Sequence, residues 1–171
     1  MNKIAKFEKV SFKQFYRDFK DVFDNYSDEE IKNIYDEIKL PKRATKGSAG
    51  YDFFSPISFT LKPNESIKIP TGIRVKINDG WFLANFPRSG LGFKYRLQLN
   101  NTVGIIDSDY YNALNEGHIH SKITNATNEE KIVEVLKGQG FIQGIFIPFG
   151  ITIDDDSQDE RVGGFGSTTK K

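Results

Sequence analysis

The sequence predicts a mainly β protein, an antiparallel sandwich, jelly roll or barrel that carries two helices at its N-terminus. Three observations predict it. Apolar residues recur at helical spacing before Pro41, short β-rich runs broken by Gly, Pro, Asn and Asp follow it, and no long helices alternate with strands as a parallel α/β sheet requires.

From Ser11 the residues Phe12, Phe15, Tyr16, Phe19, Val22 and Phe23 fall on one helical face, and Ser11 with Gln14 has the form of a capping box. Ser27 with Glu30 repeats that signature. Ile31, Ile34, Tyr35 and Ile38 share the next helical face before Leu40-Pro41 ends it. Two amphipathic helices of this kind pack on the main body or on a neighbouring subunit, with docking to another protein as the alternative use. After Pro41 the expected strands are 66–69, 72–77, 81–86, 118–125, 131–136 and 141–149. The tail is polar and glycine-rich, and Asp154-Asp155-Asp156 is not a core sequence, so a mobile arm is expected there. The organisation is therefore a helical extension over 1–39, a β domain over 40–153 and an arm over 154–171.

With 171 residues, the chain has the length of one domain that buries a core without metal or disulfide staples. Lys plus Arg number 24 against 23 Asp plus Glu, which argues against the one-sided basic footprint of a nucleic-acid binder, so phosphate binding must be local. Cys is absent, which excludes thiolate metal sites and cysteine nucleophiles and fits a reducing compartment. Met1 to Lys9 alternates charged and apolar residues without the apolar stretch of a signal peptide, and no window approaches a membrane span. The expected location is cytoplasmic, with neither nucleic acid nor membrane as partner.

Four blocks carry chemistry. In Gly104-Ile105-Ile106-Asp107-Ser108-Asp109-Tyr110 an apolar pair leads to a carboxylate that a strand end would place at a pocket edge, where its environment can tune it as a base. Taken alone, Asp-x-Asp is also common in solvated turns. Pro87-Arg88-Ser89-Gly90-Leu91 joins a rigid entry, a guanidinium, a hydroxyl and a glycine that allows close backbone approach, a set suited to an oxyanion; it also begins a helix or turn. Gly163-Gly164-Phe165-Gly166-Ser167-Thr168 suits a lid that orders over a ligand, Phe165 stacking on a base while Ser167 and Thr168 meet phosphate. The fourth block is Ala49-Gly50-Tyr51-Asp52. Together they are the backbone donors, carboxylates and arginine that a nucleoside triphosphate needs.

These blocks resemble the trimeric dUTPase family (deoxyuridine 5'-triphosphate nucleotidohydrolases). Residues 49–52 are similar to its first motif, 87–92 to its second, 104–110 to its third, 138–143 to its fourth and 161–168 to its fifth, in the family's order. The resemblance spans about 40–169 and leaves 1–39 outside the family core. It implies an antiparallel β jelly-roll subunit (dUTPase-like, β-clip), a homotrimer with active sites shared between subunits, and Mg²⁺-dependent hydrolysis of dUTP to dUMP and pyrophosphate. Such an activity limits uracil incorporation into DNA and supplies dUMP.

Carried over by the resemblance, Asp107 is the base that deprotonates the attacking water. Tyr110 packs against the deoxyribose, while Asn101 and the backbone of Gly104, Ile105 and Ile106 read uracil. Arg88, Ser89, Gly90 and Gln143 hold the phosphate chain, and Asp52 sits in the outer shell of Mg²⁺ through water. Arg161 approaches the γ-phosphate, Phe165 caps the base, and Gly166, Ser167 and Thr168 complete the substrate contacts.

The chain departs from the family at several points. Only Val162 separates Arg161 from Gly163, Gly140 stands where a basic residue is common, and Thr169 stands where a glycine often follows. Tyr111-Asn112 precede an extra loop over 113–117, with Asn112 expected to supply the left-handed turn of a family glycine. His118 and His120 alternate on an expected strand and are read as structural or pocket-lining, not as a zinc site. The competing functions are a dCTP deaminase-like enzyme of the same fold, a non-catalytic nucleotide-sensing regulator and a purely structural β-trimer.

Overall fold

The computed structural model describes residues 2–159 and Gly163, so Arg161, Phe165, Gly166, Ser167 and Thr168 lie outside the described residues. The chain is mainly β, with antiparallel pairing throughout and three α-helices. Its strands are β1 (Ala5–Lys9), β2 (Lys42–Arg43), β3 (Tyr51–Phe54), β4 (Phe59–Leu61), β5 (Ser66–Pro70), β6 (Ile73–Ile77), β7 (Trp81–Pro87), β8 (Leu97–Leu99), β9 (Gly104–Ile106), β10 (His120–Asn125), β11 (Val133–Val135) and β12 (Gly140–Pro148). The helices are α1 (Phe12–Val22), α2 (Asp28–Asp36) and α3 (Ser89–Tyr95), and a 3-10 turn covers Ser108–Asn112.

A five-stranded sheet in the order β2-β3-β12-β7-β9 carries most of the motif residues, beside sheets β5-β10-β8, β11-β4 and β1-β6. Strand β12 forms the middle of the largest sheet because Phe141 and Ile142 are wholly buried and its backbone pairs on both edges, with β3 and with β7. The six expected strands are all present, within one to two residues at most ends. Strands β3, β4, β8 and β9 are three or four residues each, too short for an alternating pattern to stand out from a loop.

Helix α2 carries a complete capping box, Ser27 Oγ accepting from the Glu30 amide and the Glu30 carboxylate accepting from the Ser27 amide. Helix α1 carries half of one. Ser11 Oγ accepts from the Gln14 amide at 3.1 Å, but the Gln14 side chain turns away and donates to Asp18 Oδ2 at 2.7 Å. The helices pack on the main body: Phe15, Phe19, Ile31 and Ile34 belong to the same buried cluster as Ile69, Leu83 and Phe141. The alternation at the N-terminus is itself a strand. β1 pairs with β6 over five residues, Ala5 opposite Ile77 through Lys9 opposite Ile73, so this stretch is sheet and not helical extension.

Two polar contacts fasten α1 to the chain that follows the 3-10 turn. The Ser11 amide and hydroxyl donate to the Glu116 carboxylate at 2.7 and 2.6 Å, and Asp18 Oδ2 lies 2.6 Å from His118 Nδ1 and 3.3 Å from His120 Nε2. The left-handed turn expected at Asn112 falls elsewhere. Asn112 ends the 3-10 turn, while Glu116 and Gly117 take φ of +58° and +68°; a Cβ on Gly117 would stand 2.6 Å from the Tyr110 carbonyl oxygen.

Asp18, His118 and His120 bring three ligand-type atoms together, yet the backbone decides against a metal. The Gly72 amide donates to His118 Nε2 at 2.8 Å, so that nitrogen keeps its lone pair and the ring proton sits on Nδ1, directed at Asp18. A metal ion on Nδ1 would need an imidazolate. The cluster is a hydrogen-bonded clasp, in keeping with His118 as a structural residue.

Burial pushes His118 down to about 4, with the Asp18 hydrogen bond opposing and the neighbouring His120 assisting. For Asp18, burial acts to raise the carboxyl, but hydrogen bonds from His118, His120 and Gln14 outweigh it and hold it well below the usual carboxylate range. Both groups are depressed, so the unfolded chain binds more protons and stability falls as pH is lowered. Thermal denaturation should show Tm declining from pH 6.5 toward pH 4, with a shallower decline in His118→Gln. Phe19→Ala, which empties a wholly buried site on α1, should cost about 3–5 kcal/mol in urea unfolding of the whole protein.

Candidate functional site

Two groups of motif residues lie at opposite corners of the five-stranded sheet. The first gathers where β3, β12 and the end of β7 meet. Asp52, Gln143 and Phe86 stand opposite one another in register, so Asp52 and Gln143 are strand neighbours and Arg88 follows two residues beyond Phe86. Arg88 forms an ion pair from Nε to Asp52 Oδ1 at 3.0 Å, and Gln143 Nε2 donates to the Pro87 carbonyl at 3.2 Å.

Arg88 is the N-cap residue of α3 and makes no side-chain cap bond, which leaves its guanidinium to turn back over the sheet. There it donates from Nη1 to the Gly140 carbonyl at 3.3 Å. A Cβ on Gly140 would lie 3.1 Å from that same nitrogen, so glycine at this fourth-motif position makes room for Arg88 in place of contributing a charge of its own. Ser89 and Gly90, exposed in the first turn of α3, present a hydroxyl and amides beside the guanidinium. One carboxylate, one planar cation and several neutral donors at a surface corner suit a polyphosphate with a hydrated cation.

The second group surrounds a cavity of about 280 Å³ lined by Asn85, Asn101, Gly104, Ile106, His120 and Ser121, among others. β9 supplies one wall, and the pairing of Gly104 with Asn85 on β7 fixes its depth. Ile105, between two buried neighbours, faces outward and is half exposed. Asp107 follows β9 as the N-cap of the 3-10 turn and is half-buried at the strand end. Tyr110 is 2% exposed; its hydroxyl donates to the His118 carbonyl at 2.9 Å and accepts from Asn115 Nδ2 at 2.8 Å, which holds the ring in place. His120 lines this cavity while its other contacts reach Asp18, so the clasp on α1 forms the cavity's rear support.

The sheet register separates the two groups. Asp52 lies level with Phe86, whereas the residue after Ile106, which itself pairs with Leu83, lies level with Phe82. Four residues along the strand and three strand spacings across put Asp52 and Asp107 on the order of 20 Å apart. No single phosphate or cation can touch both carboxylates of one chain.

Gly163 alone among the fifth-motif residues is described, half-buried in a bend. Two residues absent from the sequence reading stand out. Asn85 lies buried against the cavity, and Asp18, one hundred residues from His118, completes the clasp; neither carries a local pattern that would single it out.

The family model described as dUTPase matches residues 36–169. The deoxyuridine 5'-triphosphate nucleotidohydrolase of Lactococcus lactis subsp. lactis is 43% identical over 134 residues, covering 77% of this chain and 88% of that protein. The protein of the same name from Hahella chejuensis is 38% identical over 148 residues, covering 82% and 93%. The crystal structure of dUTPase from Streptococcus mutans aligns with a TM-score of 0.59 at 36% identity, covering 78% of this chain and 97% of that one. A phage phi11 dUTPase of S. aureus, described with a structural Mg(II) ion, shares the fold at 19% identity with a TM-score of 0.61 and coverage of 92% and 98%.

Proposed function

The chain belongs to the dUTPase family, and on that premise we propose that it is a dUTP diphosphatase, hydrolysing dUTP to dUMP and pyrophosphate at sites shared between the subunits of a homotrimer. The observation that carries the reading is the division of its equipment. Asp107, which follows the cavity-lining Ile106, and an arginine–carboxylate corner suited to phosphates lie too far apart in one chain to serve a single phosphorus atom. A second copy supplies the missing half to each.

Uracil enters the cavity, where the β9 backbone and Asn101 meet its polar edge. Donors and acceptors fixed by a β-ladder cannot turn over to suit cytosine, whose edge reverses the pattern at two positions. Tyr110 packs flat against the deoxyribose and leaves no room for a 2'-hydroxyl, its ring held in place by two hydrogen bonds. Arg88, Ser89, Gly90 and Gln143 of the neighbouring copy bind the phosphate chain. Asp107 orients a water behind the α-phosphorus and takes its proton as the oxygen–phosphorus bond forms and the pyrophosphate leaves in line. The subunit is a dUTPase-like jelly roll of the β-clip type. Arg161 meets the γ-phosphate, Phe165 the base, and Gly166, Ser167 and Thr168 the remaining substrate groups. The same reading places the protein in the cytoplasm; among the described residues no helix is long and apolar enough to cross a membrane.

The donor set at the phosphate corner fits Mg²⁺. Asp52 offers a hard carboxylate oxygen, Arg88 engages its Oδ1, and the corner holds no imidazole or thiolate among the described residues. Asp52 would hold the ion through its coordinated water, and the bound ion neutralises charge on the phosphate oxygens.

Asp107→Asn keeps shape and removes the base, so kcat should fall by at least about 10²-fold with KM nearly unchanged; a raised KM at wild-type kcat contradicts the assignment. Wild-type protein should release pyrophosphate from dUTP and far more slowly from dCTP, UTP or dTTP. Co-refolding equal amounts of Asp107→Asn and Arg88→Ala chains tests the shared site. Random assortment in a cyclic trimer joins an intact Asp107 to an intact Arg88 at about a quarter of the sites, so activity should return to roughly that level. No recovery would place both groups in one subunit.

A further inference from the structure

Asn85 is a polar side chain in a place where the sheet offers it nothing to bond. It is 2% exposed, and its Oδ1 is buried with no hydrogen-bond partner among the described residues. It sits at the centre of the sheet with glycines on both sides, opposite Gly104 of β9 and Gly144 of β12. The Oδ1 end lies over Gly144: it stands 2.8 Å from where a Cβ there would be, a spot that Leu83 Cδ1 and Phe53 Cε2 also approach to 2.8 and 3.1 Å. The other end, Nδ2, lies toward Gly104, 3.8 Å from the corresponding position. Asn85 and Gly104 both line the cavity assigned above to the base.

The orientation of the amide has a physical reason. Turned over, it would press two N–H donors against Leu83 and Phe53, and a buried unpaired donor is rarer than an under-satisfied carbonyl oxygen. The arrangement that buries the oxygen therefore leaves the amino group at the cavity wall. An unsatisfied buried amide weakens a fold, and an apolar residue of similar size would remove that cost. An amide retained although its buried oxygen costs stability has its use at the other end, the amino group that lies toward the cavity.

We propose that Asn85 is a specificity-determining residue of the pyrimidine site, its Nδ2 donating a hydrogen bond to the carbonyl oxygen at C4 of the bound base. This rests on the reading of the cavity as the uracil site and adds a reader from β7 to Asn101 and the β9 backbone already named. At C4 cytosine carries an amino group, which meets the Asn85 donor with a donor. Asn85 thus discriminates at the one ring position where the two bases differ in their exocyclic group.

The test uses the full-length enzyme with dUTP as substrate and dCTP as competitive inhibitor, in wild type, Asn85→Leu and Asn85→Asp. Asn85→Leu should raise the KM for dUTP about tenfold, the loss of one hydrogen bond to ligand, with kcat within about twofold. It should leave the inhibition constant of dCTP unchanged and raise the Tm of the ligand-free protein. Asn85→Asp, which replaces the donor with an acceptor at constant shape, should weaken dUTP further and tighten dCTP. Unchanged KM for dUTP in both variants overturns the proposal, as does an equal loss for dUTP and dCTP in Asn85→Leu. A lowered Tm with unchanged KM makes Asn85 structural and overturns it too. Wild-type turnover separates the two levels of the argument: an inactive wild type sinks the reading of the site, whereas an active wild type matched by both variants sinks the role of Asn85 alone.

Discussion

The position of β7 between β12 and β9 is the constraint on which the rest of the molecule depends. One strand pairs over seven residues with β12 on one side and over three with β9 on the other. Its C-terminal end delivers Arg88 to the Asp52 corner, and its middle forms the floor of the cavity below Gly104. Because strand pairing is fixed in register wherever one face is buried, the separation between the two corners is built into the backbone and cannot be closed by side-chain movement.

The Asp52–Arg88 corner also shows how a chain of nearly balanced charge holds one cation in a defined place. Arg88 is only partly exposed, and Asp52 is the more buried partner of its ion pair. The pair holds the guanidinium in a defined place before any anion arrives, with Gly140 leaving space for it and Gly140's carbonyl fixing its outer edge. Preorganisation of this kind lowers the ordering cost of binding, and the corner needs no general basic surface around it.

The helices and the loop over 113–117 are bound to each other as well as to the sheet. Glu116 caps the approach to α1 through Ser11, and Asp18 returns from α1 to His118 and His120, so each piece supplies the other's polar partner. Arg74 of β6 lies 3.6 Å from the Tyr111 ring centroid and donates to the Tyr111 carbonyl at 2.7 Å, which anchors the start of the loop. The clasp meets the cavity through His120. The N-terminal helices are in this way part of the rear wall of the cavity that His120 lines and not an independent appendage.

The sequence by itself determined the class of fold, the two helices with their serine caps, the longer strands and the identity of the motif residues. Each of these is written locally, in a 3.6 or 2.0 residue period, a cap signature, or a short block whose residue types carry one chemistry. The short strands β4, β8 and β9, the strand at Ala5–Lys9, the Gly117 turn and the partner of His118 were decided by the tertiary structure alone. A three-residue strand has too few positions to show a period, and its stability comes from the neighbour that it pairs with. Asn85 is the clearest case: in the sequence it is a single polar residue inside the apolar run Trp81 to Pro87. Only the meeting of three strands, two of them contributing glycine beside it, turns it into a buried amide facing a cavity, because burial is a property of what surrounds a residue and not of the residue.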